Sequence, residues 1–143
     1  MQIKIKKLNP EMKMPSYGHP GEDAGLDLYA MESYELKPGE RKIFDCGFAL
    51  EFPAGYAAIV KDKSSLPKIA GLHTIGGVFD SGYRGEYNVQ LINFGAEAYK
   101  IEKGQKIAQL IIYPVAFAEL EEVTELDNTS SRGTGKMGST GQF

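Results

Sequence analysis

The chain predicts an all-β fold, and three observations carry that prediction. Its apolar stretches are short, they are rich in Ile, Val, Tyr and Phe, and turn-forming Gly and Pro separate nearly every one from the next. Such spacing belongs to a sandwich, barrel or jelly roll rather than to strands alternating with helices. Ile3 and Ile5 alternate with lysines and read as the first strand. Residues 26–30 form the second. Pro38-Gly39 and Pro53-Ala54-Gly55 bracket the long run 43–52, and 56–61 follows as the next strand. The best helical candidate is a turn or two around 64–69, interrupted by Pro67. After Gly76-Gly77, Val78 and Phe79 read as a strand end, Ser81-Gly82 as a turn and 87–94 as the returning strand, which makes an apparent β-hairpin. Residues 107–113 and 116–123 are the last strand candidates, with Asn93-Phe94-Gly95 and Lys103-Gly104 as punctuation.

At 143 residues the expectation is one β domain over 1–126, large enough to bury a core without metals or disulfides, followed by a polar tail over 127–143. A net charge of −3 disfavours nonspecific attraction to nucleic acid or to membranes, so neither is an expected partner, and an anionic small ligand would need a local basic pocket. The single Cys46 excludes an internal disulfide, suits a reducing cytoplasm, and inside an apolar run reads as a buried structural thiol. No apolar run approaches membrane-spanning length, and Met1-Gln2-Ile3-Lys4-Ile5 does not read as a signal peptide. His19 and His73 are the only histidines and form no ligand-spaced cluster with Cys46, which disfavours a protein-held zinc. His19 reads as loop surface and His73 as the approach to the hairpin.

The stretch Gly77-Val78-Phe79-Asp80-Ser81-Gly82-Tyr83-Arg84-Gly85 gathers a carboxylate, an aromatic ring and a guanidinium at one turn. A turn on a rigid scaffold leaves Asp80 open to a ligand, as a general base requires, although Asp-Ser-Gly turns are also common structural elements. In the tail, Gly133, Gly135, Gly138 and Gly141 punctuate a polar run, which reads either as a disordered terminus or as a loop that orders on phosphate. The run 133–140 nearly spells a P-loop, but Ser139 stands where its lysine belongs and no room remains for the helix that must follow.

Five short segments in one order then give the chain a resemblance. They are Ala24-Gly25-Leu26-Asp27-Leu28-Tyr29-Ala30, Lys63-Ser64-Ser65-Leu66, the Asp80 turn, Gly104-Gln105-Lys106-Ile107-Ala108-Gln109-Leu110, and Arg132-Gly133 continuing to Gly138-Ser139-Thr140-Gly141. Together they resemble the five motifs of the homotrimeric dUTP diphosphatases, the dUTPases, from about residue 24 to 141. The resemblance implies a distorted jelly roll of the β-clip type, a trimer with shared active sites, and Mg²⁺-assisted hydrolysis of dUTP to dUMP and pyrophosphate, which limits uracil in DNA and supplies dUMP for dTMP synthesis. It assigns Asp80 to the attacking water and Asp27 to Mg²⁺ through water. Ser64, Ser65, Arg132, Ser139 and Thr140 would hold phosphate oxygens, and Gln109 would serve the α-phosphate or a metal-bound water. Tyr83 would lie against the deoxyribose, where a 2′-hydroxyl clashes. The backbone from Thr74 through Gly77 and Val78 to Phe79 would pair with uracil and exclude a 5-methyl group by shape, because an apolar pocket alone discriminates a methylene by only about 1–3 kcal/mol.

Two positions depart from the family pattern. Lys63 stands where arginine is usual and loses the planar bidentate fork. Met137, preceding Gly138, stands where a phenylalanine stacks on the base, with Lys136 in place of a common glycine, and the terminal Phe143 is a candidate substitute ring. These departures keep open a second reading, a catalytically idle dUTP-binding regulator on the same fold. A third, dCTP deaminase, requires a glutamate where this chain has Gln90.

Overall fold

The computed structural model describes residues 1–127, 129, 130 and 133. The expected residues Arg132, Met137, Gly138, Ser139, Thr140 and Phe143 lie outside that set. The described chain is built from eleven strands and one short helix. Two larger sheets organise it. The first has the order β2 (Leu26–Tyr29), β11 (Lys106–Pro114), β6 (Tyr56–Asp62), β8 (Val78–Asp80). The second has the order β4 (Arg41–Asp45), β9 (Asn88–Asn93), β7 (Leu72–Thr74). Two antiparallel pairs complete it, β1 (Lys4–Lys7) with β5 (Phe48–Glu51), and β3 (Tyr34–Leu36) with β10 (Tyr99–Ile101). Among the described residues every strand pairing is antiparallel, so an all-β architecture holds, and no helix there is long and apolar enough to cross a membrane.

Alternation explains the central strands. Along β9, Val89, Leu91 and Asn93 point inward and are fully buried, while Asn88, Gln90 and Ile92 are half-exposed. Asn93 is tolerated in the core because its amide is satisfied, donating to the Leu36 and Glu97 carbonyls and accepting from Gly95 N–H. The inner faces close over Leu28, Leu36, Phe44, Phe48, Leu72, Tyr87, Ile107 and Leu110. Cys46 joins them, and burial pushes its thiol up to about 12.

Four expectations change. The run 43–52 is two strands, broken at Cys46-Gly47, where Gly47 adopts φ 74° and a Cβ would meet Met31 Sδ at 2.7 Å. Pro67 does not interrupt α1 (Ser65–Ala70): it falls in the first turn, where backbone N–H groups lack helical partners anyway. Residues 116–123 form no strand: they pair with none of the described strands, and Phe117 and Leu120 are exposed. The apparent hairpin is a crossover. β8 pairs with β6 in the first sheet, whereas β9 lies between β4 and β7 in the second. The Asp80–Tyr83 turn is real, closed by Tyr83 N–H donating to Asp80 O at 3.0 Å, but the chain leaves it for the opposite sheet.

Candidate active site

Asp27 lies in the middle of β2, its backbone level with Gln109 of β11 and its N–H donating to Ser16 O. Only 1% of the residue is accessible, and two ammonium groups reach it: Lys63 Nζ at 2.6 Å from Oδ1 and Lys106 Nζ at 2.6 Å from Oδ2. Burial alone raises the Asp27 carboxyl, but the ammonium groups of Lys106 and Lys63 beside it, the latter also hydrogen-bonded to Oδ1, outweigh it and hold it below its ordinary value. The same contact raises Lys106. Both lysines remain partly open to solvent, so an arriving anion can reach them without unpacking the core.

Lys63, Ser64 and Ser65 leave β6 and enter α1. Ser64 occupies the N-cap position without a side-chain capping bond, and both serines are exposed, so neither hydroxyl is committed to capping that helix. Gln109 turns its amide across to β6, donating from Nε2 to the Asp62 carbonyl at 2.9 Å. Gly25 makes this possible: a Cβ there would lie 2.6 Å from Gln109 Oε1. Asp27, Lys63, the two serines and Gln109 therefore lie toward one end of the first sheet within a single chain, and Lys63 is engaged with Asp27.

The Asp80 turn is a second, separate feature. Phe79 anchors it by stacking on Tyr87 at 4.2 Å, Tyr87 stacks on Phe48 at 5.4 Å, and Tyr83 packs edge-on against Tyr87. Tyr83 also donates its hydroxyl to Glu86 O. Arg84 Nη1 donates to the carbonyls of Ser81, at 2.6 Å, and Tyr83, at 2.9 Å, so it buttresses the turn. Above this aromatic stack Asp80 is exposed. Upstream, Thr74 ends β7 and Gly76 and Gly77 carry the chain to β8 with φ 66° and 85°; Gly77 O accepts from Val60 N–H at 2.8 Å.

Along β6, Asp80 is level with Ala57 and Gln109 with Lys61. Four residues of strand correspond to roughly 13 Å. β8 is also two strands away from β11, about 10 Å across the sheet. One chain therefore holds the Asp27–Gln109 group and the Asp80 carboxylate apart.

Two contributors escaped the sequence reading. Lys106 sits in the fourth motif and could have been suspected from its charge beside Gln109. Asp62 precedes Lys63 and carries no motif signal; it meets Thr74 through Oδ1 and His73 Nδ1 through Oδ2 at 2.8 Å. His73 lies on β7 and His19 is exposed, paired with Asp23 at 3.4 Å. Gln90 lies under the Gly76 turn, its Nε2 3.8 Å from where a Gly76 Cβ would be.

A β domain that clusters a lysine-held aspartate, two serines with no capping bond and a strand amide, and presents a further carboxylate on a braced turn, has the groups that phosphate-handling proteins use. The comparisons narrow that class. The dUTPase family model matches residues 10–141. A deoxyuridine 5′-triphosphate nucleotidohydrolase of Nautilia profundicola is 45% identical over 144 residues, covering 99% of this chain and 100% of that protein. One from Clostridium kluyveri is 41% identical, covering 99% of each. Among solved structures, the dUTPase of Staphylococcus bacteriophage 80alpha with dUPNHPP superposes with a TM-score of 0.90 at 28% identity over 98% of each chain. A mutant dUTPase of phage phi11 of S. aureus, described for its structural Mg(II) ion, shares the fold with a TM-score of 0.81 at 24% identity, over 89% of this chain and 99% of that one. The chain belongs to the dUTPase family and is a nucleotide-hydrolysing enzyme of that family.

Proposed function

We propose that the chain hydrolyses dUTP at the α-phosphorus, with Asp80 as general base. The observation that carries the reading is the Asp80 turn: an exposed carboxylate on a backbone braced by the Phe79–Tyr87–Phe48 stack and by Arg84. Asp80 orients a water and takes its proton as the water oxygen bonds to the α-phosphorus; the bond to the α,β-bridging oxygen breaks and pyrophosphate leaves. Ser64 and Ser65 donate to phosphate oxygens, and Gln109 holds the α-phosphate side. Lys63 and Lys106 supply positive charge beside Asp27, with Lys63 exchanging its carboxylate partner for phosphate when the nucleotide arrives. The backbone from Thr74 to Phe79 reads uracil, and Tyr83 flanks the sugar. The tail residues Arg132, Met137, Gly138, Ser139 and Thr140 close over the nucleotide, in the cytoplasm or in the cytosol or nucleus of a host.

Mg²⁺ fits this donor set in one way. Among the described residues no three His, Cys, Asp or Glu side chains converge, so the protein alone offers no cage. A single buried carboxylate suits an ion that keeps most of its waters and takes its remaining ligands from phosphates. Asp27, with Gln109 beside it, would hold such an ion through water once Lys63 had turned from Oδ1 to phosphate, and the ion would supply neutralisation of the triphosphate charge.

A homotrimer follows from the same reading. The separation between Asp80 and the Asp27–Gln109 group supports a site assembled from different copies, and the exposed Phe117 and Leu120 support a further contact between chains.

The test is pyrophosphate release with Mg²⁺ from dUTP, dCTP, dTTP and UTP. Turnover confined to dUTP is expected, and Asp80→Asn should lower kcat by about 10²–10⁴-fold with nucleotide still bound. Tight dUTP binding without turnover would instead identify an idle regulator, and wild-type turnover in Asp80→Asn would remove Asp80 as the base.

A further inference from the structure

We propose that Asp62 is a positioning residue for base recognition, setting nucleobase selectivity from outside the site; this rests on the reading that the backbone from Thr74 to Phe79 contacts uracil. Asp62 closes β6, and its side chain is only 22% exposed. Oδ1 accepts hydrogen bonds from both the backbone N–H and the hydroxyl of Thr74, the latter at 2.8 Å, and Oδ2 lies 2.8 Å from His73 Nδ1. The carboxylate thereby fixes the first residue of the base-reading segment in backbone and side chain together. Downstream, that segment hangs from Ile75 N–H on Gln90 O and from Val60 N–H on Gly77 O. Between those points Gly76 and Gly77 adopt positive φ, where glycine imposes little conformational preference of its own. The β7–β9 pairing holds one side of Thr74, opposite Leu91, and Asp62 holds the other, so the carboxylate is the side-chain determinant of where the Thr74 end sits.

The division of labour within Asp62 makes the idea separable from a general structural role. Its side chain serves Thr74 and His73, whereas its main-chain oxygen receives Gln109 Nε2 at 2.9 Å. Removing the carboxylate loosens the base side and leaves the main-chain acceptor of Gln109 in place. Selectivity and KM should move more than kcat.

The experiment compares Asp62→Ala and Asp62→Asn with wild type as full chains with Mg²⁺, reading kcat and KM for dUTP, dCTP and dTTP. Asp62→Ala is expected to raise the KM for dUTP and to lose about tenfold in the kcat/KM preference for dUTP, with kcat changed by less than about threefold. Asp62→Asn, whose amide oxygen still accepts from Thr74, should retain most of the preference. Unchanged selectivity in Asp62→Ala, or an equal fall in kcat for every nucleotide, would overturn the proposal. If Asp62→Ala does not fold, Thr74→Val removes the hydroxyl donor alone and must shift selectivity in the same direction. Absence of wild-type dUTP turnover would count against the hydrolase reading; hydrogen exchange then decides separately, faster exchange of the Thr74 amide in Asp62→Ala supporting the positioning role and unchanged exchange refuting it.

Discussion

Replacing Gly77 by alanine is expected to cost far more than the same change one residue earlier. Both glycines have positive φ, 66° at Gly76 and 85° at Gly77, so each alanine pays about 1–2 kcal/mol for a left-handed backbone. Their surroundings differ. A Cβ on Gly76 would find nothing nearer than Gln90 Nε2 at 3.8 Å, an ordinary contact. A Cβ on Gly77 would lie 2.9 Å from Val60 Cβ and 3.2 Å from Val60 O. Val60 is 2% exposed on β6, held between β11 and β8, and its N–H is bonded to Gly77 O. It has no free direction in which to move, so overpacking adds about 1–3 kcal/mol. Gly77→Ala should therefore destabilise by about 2–5 kcal/mol, and by about 1–3 kcal/mol more than Gly76→Ala. Urea unfolding of both variants at one chain concentration measures the difference directly. Equal losses in the two would show that Val60 yields, and that the close approach imposes no constraint.

The remaining predictions concern two titratable groups. The Asp27 carboxyl is held low by Lys106 and Lys63 against the opposing effect of burial, so its contribution to stability is present above its unfolded value near about 3.9 and is lost as pH falls through the lower folded value. The stability gap between wild type and Asp27→Asn should accordingly be wide at pH 7 and close below about pH 4 in thermal melts; a gap that persists undiminished into acid would refute the lysine clamp. Cys46, with its thiol pushed up to about 12, should resist thiol-disulfide reagents at pH 8 in the folded protein and react promptly in urea. Rapid labelling without unfolding would place the thiol at the surface.

How much of this was legible in the sequence depended on whether the signal was local. β2, β6, β9 and β11 were readable because each places several buried residues, adjacent or alternating, between turn signals. β3 and β10 were not: each has three residues, and they find only one another. Val78–Asp80 and Asn88–Asn93, close in sequence with turn residues between, imitate a hairpin, yet Phe79, Tyr83 and Tyr87 stack across the gap and send the chain between sheets. The same limit applies to the site. Asp27, Lys63, Asp80 and Gln109 carry motif patterns and were identifiable as residues. The Lys106 contact depends on how β11 runs against β2 through the irregularity between Lys106 and Ala108. The Asp62 contacts depend on β7 arriving beside the end of β6, a long-range event that no neighbouring residue announces.

One strand gives the molecule its calibration. β6 carries the Asp80 turn along one edge and the Gln109 strand along the other, and runs directly into Lys63, so its residues serve as graduations between the two functional groups. Lengthening it by one residue would turn every later side chain to the wrong face; lengthening it by two would restore the faces but displace one group by about 7 Å. The loops bear no such penalty, and Gly55, at φ 88° with open space around its Cβ direction, marks one where the chain can grow. Relatives of this chain should therefore drift in length at their turns and keep the count constant between Tyr56 and Asp62.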